Sequence, residues 1–275
     1  MSVRSEAGGK TLLVDVGNTR VKWARFDGRR LSRQRAEAFT GWRSRDFART
    51  VFGSAKGVDR ILVSSVAGSR VNRMLAEAAR HSHGLKPEFV STQRRAGGVT
   101  TAYAEPWRLG VDRFAMAIGA HRLAGRHAVC IVSVGTALTI DLVDARGLHR
   151  GGAILPAPPL MIDSLLSKTN GIRRRARSPS KEPFASVGRG RTGIFARSTR
   201  MAIEQGALFA AAAAADRGAE EAKRTLGVAP IVLLTGGGAK AVAALMRSAH
   251  KTVPDLVLQG LAVLASEGRP PSVYS

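Results

Sequence analysis

The feature that most constrains this chain is a pattern that occurs twice. Thr11-Leu12-Leu13-Val14-Asp15-Val16 is an apolar run with strong strand preference, broken at Gly17-Asn18, and Val21 to Phe26 then alternates apolar and polar residues up to Asp27-Gly28. Far along the chain, His127 to Ser133 is a second apolar run, broken at Val134-Gly135-Thr136, and Leu138 to Val143 runs out to a turn at Asp144-Ala145-Arg146-Gly147. Each copy predicts two adjacent strands joined by a tight polar turn containing glycine. Such a repeat, once per half, points to two related units.

The remaining segments alternate in type. Apolar residues recur at helical spacing over Ser44 to Val51, Ser69 to His81, Arg113 to Leu123, Leu160 to Ser167, Thr199 to Ala214 and Ala239 to Ser248. Arg60 to Ser65 and Ile231 to Leu234 read as short buried strands, Lys86 to Val90 as a weaker one, and Leu256 to Leu264 as a short apolar stretch. A polar loop rich in arginine and proline is expected from Thr169 to Arg191. Strands alternating with helices imply an α/β fold. The duplication implies two domains, residues 8–117 and 118–268, with a ligand cleft expected between them.

Composition narrows the class. With 44% apolar residues in 275 the chain can bury a sizeable core. No stretch approaches the ~20 apolar residues of a membrane span, and the polar segment Met1 to Lys10 carries no secretory pattern. The lone cysteine, Cys130, lies in an apolar run and reads as a small buried hydrophobe of a reducing compartment, so a cytoplasmic location and no membrane partner are expected. The net charge of +23 is mostly arginine spread along the sequence, with one dense run, Arg173-Arg174-Arg175-Ala176-Arg177. No zinc-ligand spacing or interleaving of aromatic and basic residues accompanies it, so a nucleic-acid partner is not expected.

Three glycine turns are compatible with phosphate. In Asp15-Val16-Gly17-Asn18-Thr19-Arg20-Val21-Lys22, an acid ends a buried strand where it could hold Mg²⁺ directly or through water. Its glycine admits phosphate oxygens close to the backbone, and Asn, Thr and Lys supply donors. A hairpin turn using Asp and Asn for their turn chemistry fits the same residues. Gly135-Thr136-Ala137-Leu138-Thr139, followed by Asp141, has the same character, and Gly236-Gly237-Gly238 lies at a strand-to-helix junction. A fourth element runs from Tyr103 through Glu105-Pro106-Trp107-Arg108-Leu109 to Gly110-Val111-Asp112-Arg113. There Asp112 is open to two readings, an N-cap of the following helix or a carboxylate that accepts a hydroxyl proton during phosphoryl transfer. Arg113 is similarly open between a surface helix arginine and a residue that fixes Asp112.

Together, Asp15 to Lys22, Tyr103, Gly110 to Arg113, Gly135 to Thr139, Gly151-Gly152-Ala153-Ile154-Leu155-Pro156 and Thr235-Gly236-Gly237 resemble the motifs of type III pantothenate kinases, in order and spacing from Leu12 to Leu264. The resemblance extends to the branch known as Bvg accessory factor. The resemblance implies the acetate and sugar kinase/Hsp70/actin fold, two ribonuclease-H-like domains with ATP and Mg²⁺ between them, usually a homodimer. It implies ATP-dependent phosphorylation of pantothenate, the first step toward coenzyme A. By motif, Asp15, Val16, Gly17, Asn18, Thr19, Arg20, Val21, Lys22 and Thr136 would bind ATP, with Asp15 also on the metal. Asp112 would be the proton acceptor, and Tyr103, Gly110, Val111, Asp112, Arg113 and Thr199 would bind pantothenate, Thr199 from a dimer interface. Ser133 stands where many members carry an aspartate for a monovalent cation, K⁺ or NH₄⁺, and Pro156-Ala157 replaces the usual Pro-Gly. A kinase of another small hydroxy acid, or an inactive basic regulatory protein of the same fold, are the competing readings.

Overall fold

A computed structural model describes residues 10–55, 57–176 and 194–267. Along the chain run strands β1 (Thr11–Val16), β2 (Arg20–Phe26) and β3 (Arg35–Ala38), then helix α1 (Ser44–Phe47), which continues as a π-helical turn over Ala48–Phe52. Strand β4 (Arg60–Ser65), helix α2 (Ser69–His83), strand β5 (Glu88–Phe89), the hairpin strands β6 (Arg95–Ala96) and β7 (Val99–Thr101), and helix α3 (Val111–Ala124) follow. Next come β8 (Val129–Val134), β9 (Ala137–Val143), β10 (Leu148–Pro156), α4 (Pro158–Lys168), α5 (Asn170–Arg175) and α6 (Thr199–Leu226). Strand β11 (Ile231–Thr235), helix α7 (Ala239–Ala243), strand β12 (Lys251–Thr252) and helix α8 (Leu256–Ser266) are the last of the described elements.

The chain divides into two compact units. One comprises residues up to Gly125 together with those from Asp255 onward, and the other Arg126–Pro254. This differs from a boundary at 117/118, which would cut through α3, and it returns the C-terminal helix α8 to the first unit.

In the first unit the sheet has the order β3-β2-β1-β4-β5. Strand β1 pairs antiparallel with β2 and parallel with β4, which sets Lys22 and Ser64 on either side of Asp15. Because side chains alternate along a strand, Leu12, Val14 and Val16 share one face, where Trp23, Ile61 and Val63 join them against Phe47, Phe52, Leu75 and Ala79. The opposite face, with Leu13 and Asp15, meets α8, while α3 packs on β4. Helices α3 and α8 approach very closely, and two glycines make this possible. A Cβ on Gly260 would stand 1.9 Å from the Ala115 carbonyl oxygen, and one on Gly119 would stand 2.5 Å from that of Leu256.

In the second unit the strand order is β12-β11-β8-β9-β10. Helix α6 lays a stripe of Ala207, Leu208, Ala211, Ala212, Ala215, Ala219 and Ala222 on Cys130, Val132, Val134 and Leu138. The small side chains keep this long helix close to the sheet. It outruns the expected end at Ala214 and stops at Gly227, whose φ of 71° suits a C-terminal cap. Cys130 is buried as expected, and burial first, then the charge of Asp141, pushes its thiol up to about 12.

Two further local expectations change. Asn170–Arg175 is helical rather than loop, and Arg177 with the rest of that loop to Arg191 lies outside the described residues. Helix α7 ends at Ala243, well before Ser248, because Asp216 accepts the backbone N–H groups of Arg247 and Ser248, each at 2.9 Å, and turns the chain. The Gly-Gly-Ala-Ile-Leu-Pro segment is strand β10, entered through an irregularity between His149 and Gly151.

The α3–α8 contact has a direct test. Gly260→Ala is expected to cost about 1–3 kcal/mol or more in urea unfolding, the range for overpacked cores. Gly206→Ala in α6, where a Cβ meets nothing within 4 Å, is expected to leave stability equal or slightly raised.

Candidate active site

The site begins with a buried acid. Asp15 is the next-to-last residue of the apolar strand β1 and is only 5% exposed. Its neighbour across β2 is Lys22, whose Nζ lies 3.5 Å from Asp15 Oδ2. On its other side is Ser64, fully buried, with no hydrogen-bond partner for its Oγ. Burial raises the Asp15 pKa to about 6; Lys22 opposes the rise and the charge of Asp112 adds to it. A strand position that could have held another valine thus holds a carboxylate kept costly by its surroundings, a common property of functional groups. Asn18, Thr19 and Arg20 are exposed in the adjoining turn, which is closed by a bond from Gly17 N to the Arg20 carbonyl at 3.0 Å. Arg20 donates to the Ala36 carbonyl at 3.3 Å, and Val16 and Val21 are core residues.

Asp112 comes to this layer from α3. Gly110, not Asp112, caps the helix, so Asp112 occupies the first turn and its Oδ1 accepts the Arg113 N–H at 2.8 Å. Gly110 is required for that rotamer, since a Cβ there would stand 2.7 Å from Asp112 Oδ1. The carboxylate at a helix N-terminus is favoured by the helix dipole. Arg113 is not on the surface: it is 5% exposed, and its Nη1 donates to the Tyr103 hydroxyl at 3.3 Å. Its guanidinium carbon lies 6.0 Å from the Tyr103 ring centroid. The first unit therefore brings together Asp15, Lys22 and Asp112 electrostatically, and Tyr103, Gly110, Asp112 and Arg113 by contact. Val111 is half-buried in the same first turn of α3.

The second unit holds the other predicted residues. Its β8–β9 turn is closed by a bond from Gly135 N to the Ala137 carbonyl at 2.9 Å, the counterpart of the Gly17 bond, and leaves Thr136 exposed. Asp141, which follows in β9, is buried and bonded to His149 Nε2 at 2.8 Å. Ser133 pairs in register with Thr139 and Thr235, so three hydroxyl-bearing residues lie side by side across β9, β8 and β11. At the strand-to-helix junction, Gly236 has φ 94° and a Cβ on it would strike the Val134 carbonyl oxygen at 2.3 Å, whereas Gly237 faces open space. Thr199 opens α6, one residue after Ser198, whose hydroxyl caps the helix by accepting Met201 N–H at 3.3 Å.

Two residues escaped the sequence reading. Ser64 was hidden in an ordinary buried strand, and only the parallel pairing of β1 with β4 brings it beside Asp15. Arg94 looked like one of many arginines, yet it is bonded to the backbone on both sides of Tyr103.

Comparison with known proteins gives a consistent result. A family model described as type III pantothenate kinase matches residues 11–221. A type III pantothenate kinase of Nitrosococcus oceani is 32% identical, covering 93% of this chain and 94% of its own. That of Herminiimonas arsenicoxydans is 36% identical, covering 92% and 96%. Among solved structures, a Baf family protein of Campylobacter jejuni aligns over 93% of this chain and 98% of its own, with a TM-score of 0.52 at 18% identity. A ROK family glucokinase of Streptomyces griseus aligns over 94% and 100%, with a TM-score of 0.51 at 14% identity. The fold is thus α/β, of the acetate and sugar kinase/Hsp70/actin type, with mixed sheets.

Asp15 makes folding stability depend on pH. Between its ordinary value of 3.8 and about 6, the folded protein keeps a proton that the unfolded chain has released. Stability from this group therefore falls as pH rises through that window, and the penalty is complete above it. Asp15→Asn, which has no charge to bury, is expected to gain up to about 3 kcal/mol over the parent at pH 7.5, with the gap closing toward pH 4. Urea unfolding of both proteins at the two pH values checks this, and a gap independent of pH contradicts it.

Proposed function

The chain belongs to the type III pantothenate kinase family, and on that premise we propose how its residues divide the work. It is an ATP-using pantothenate kinase of coenzyme A biosynthesis. The transfer moves the γ-phosphoryl group of ATP to the pantothenate hydroxyl, whose proton must go to a base. Asp112 is that base. An alcohol is far too weak an acid for a carboxylate to ionise in advance, so Asp112 orients the hydroxyl and takes its proton as the O–P bond forms. The observation that carries this assignment is the position of Asp112 on the first turn of α3, close enough to the buried Asp15 that its charge raises the Asp15 pKa.

Residues 15–22 and Thr136 contact ATP. The costly Asp15 carboxylate, with the orphaned Ser64 Oγ beside it, offers oxygens of the kind Mg²⁺ takes directly or through water, while Lys22, 3.5 Å from Asp15, is a cation suited to the phosphates instead. When bound, the ion offsets charge on the phosphate oxygens. Gly17 leaves the backbone free to approach those oxygens, and Lys22 and Thr19 supply donors.

Tyr103, Gly110, Val111 and Arg113 form the pantothenate site. A buried guanidinium beside a tyrosine hydroxyl is suited to the carboxylate of the substrate. Thr199 adds a contact from a homodimer interface, a reading supported by the exposed Ile154, Leu160 and Phe209 of the second unit. The protein acts in the cytoplasm, consistent with its lone buried cysteine; among the described residues no helix is long and apolar enough to cross a membrane. At the monovalent-cation position Ser133, Thr139 and Thr235 offer neutral hydroxyls, weaker ligands than the usual carboxylate, and Asp141 is bonded to His149.

A coupled assay of ATP turnover with pantothenate and other hydroxy acids tests the assignment. Asp112→Asn is expected to stay folded by circular dichroism and to lose roughly 10²–10⁴ in kcat, the range for a general base; full activity would remove Asp112 from the mechanism. Replacing K⁺ or NH₄⁺ with choline in the same assay is expected to leave the rate unchanged, and a strong dependence would mean a cation ligand other than residue 133.

A further inference from the structure

Arg94, though exposed, turns both terminal nitrogens of its guanidinium onto one short stretch of backbone. Nη1 donates to the carbonyls of Tyr103 at 2.7 Å and Thr101 at 3.3 Å, and Nη2 to that of Ala104 at 2.6 Å. Its own carbonyl accepts the Thr101 N–H at 3.0 Å. Two residues earlier, Thr92 Oγ1 donates to the Leu109 carbonyl at 2.8 Å, just ahead of Gly110. The loop from Ala102 to Gly110 is therefore held at both ends by the segment 92–94. That segment leads into the β6–β7 hairpin, whose turn uses Gly97 and Gly98 at φ 58° and 79°. Positive φ at both central residues marks a tight two-residue hairpin turn. The hairpin is seated on α3, where a Cβ on Gly97 would stand 2.3 Å from Ile118 Cγ2.

The consecutive carbonyls of Tyr103 and Ala104 point at the same cation. Two adjacent peptide dipoles aimed at one place repel each other unless a positive charge faces both. The planar guanidinium does this with two nitrogens at once, which an ammonium matches less well. The backbone conformation so fixed is the one from which Tyr103 reaches Arg113 Nη1 at 3.3 Å.

We propose that Arg94 is a positioning residue for the acceptor: it clamps residues 101–104 and thereby holds the Tyr103 hydroxyl against Arg113. The proposal rests on the reading of Tyr103 and Arg113 as pantothenate ligands. Arg94 itself touches neither substrate, so its loss affects acceptor recognition through Tyr103 and leaves the ATP loop intact.

The test uses the full chain with Arg94→Ala, Arg94→Lys, Tyr103→Ala and the double variant Arg94→Ala/Tyr103→Ala. Arg94→Ala is expected to raise KM for pantothenate by roughly 10–100-fold, the range for losing the Tyr103 hydroxyl's hydrogen bond to a charged group, with KM for ATP nearly unchanged and only a modest fall in thermal midpoint. Arg94→Lys recovers part of the loss, and the double variant is no worse than Tyr103→Ala alone. An unchanged pantothenate KM, additive effects in the double variant, or a fall in thermal midpoint with both KM values rising overturns the proposal. A crystal structure of Arg94→Ala reads the geometry without activity, and a Tyr103 hydroxyl still bonded to Arg113 there also overturns it. If the parent protein proves unable to phosphorylate pantothenate while Tyr103 moves in that structure, the acceptor assignment fails and the positioning role stands.

Discussion

The close approach of α3 and α8 underlies the architecture of the first unit. Only residues without a side chain fit at Gly119 and Gly260, where the backbone of each helix faces the other. That contact fixes where α3 lies, and α3 carries Asp112 and Arg113, two of the residues proposed for the acceptor site. Its first turn presents Asp112 and Arg113, and its middle seats the β6–β7 hairpin through Ile118 against Gly97. The loop bearing Tyr103 is strung between hairpin and helix. A change at the helix crossing would thus be felt by residues that touch neither glycine.

The second constraint is electrostatic. A sheet face that is otherwise apolar ends in Asp15, with Lys22 and Ser64 beside it and the charge of Asp112 acting from α3. Two acids in a poorly hydrated layer repel each other, and one lysine offsets this only in part. The arrangement costs the free protein stability and leaves it in want of further positive charge, which a nucleotide-bound metal ion would bring. Stability given up at a site of this kind is an expected exchange if a ligand binds there, since binding to the folded state restores it.

Much of this was legible in the residues. Strands β1, β4, β8 and β11 were marked by compact apolar runs between turn residues, and the duplicated strand-turn-strand pattern announced two units. The glycine turns and the Gly-Val-Asp-Arg sequence carried enough specificity to suggest the family. What stayed hidden has identifiable causes. Strands β6 and β7 are too short for a periodic signal. Helix α8 looked like a piece of the second unit because sequence order says nothing of where a terminal segment returns. The end of α7 was set by Asp216, which lies some thirty residues earlier in the chain.

The sequence by itself determined the alternation of elements, the positions of the phosphate-compatible turns and the residue types available for phosphoryl transfer, because these depend on local preference and short-range pattern. Only the tertiary structure decided that Asp112 is not a helix cap, that Arg113 is buried against Tyr103, that Ser64 stands beside Asp15 and that Arg94 is more than a surface charge. Each of those depends on which strand pairs with which and which helix crosses which. The energies that choose between such arrangements belong to contacts made between residues far apart in the chain.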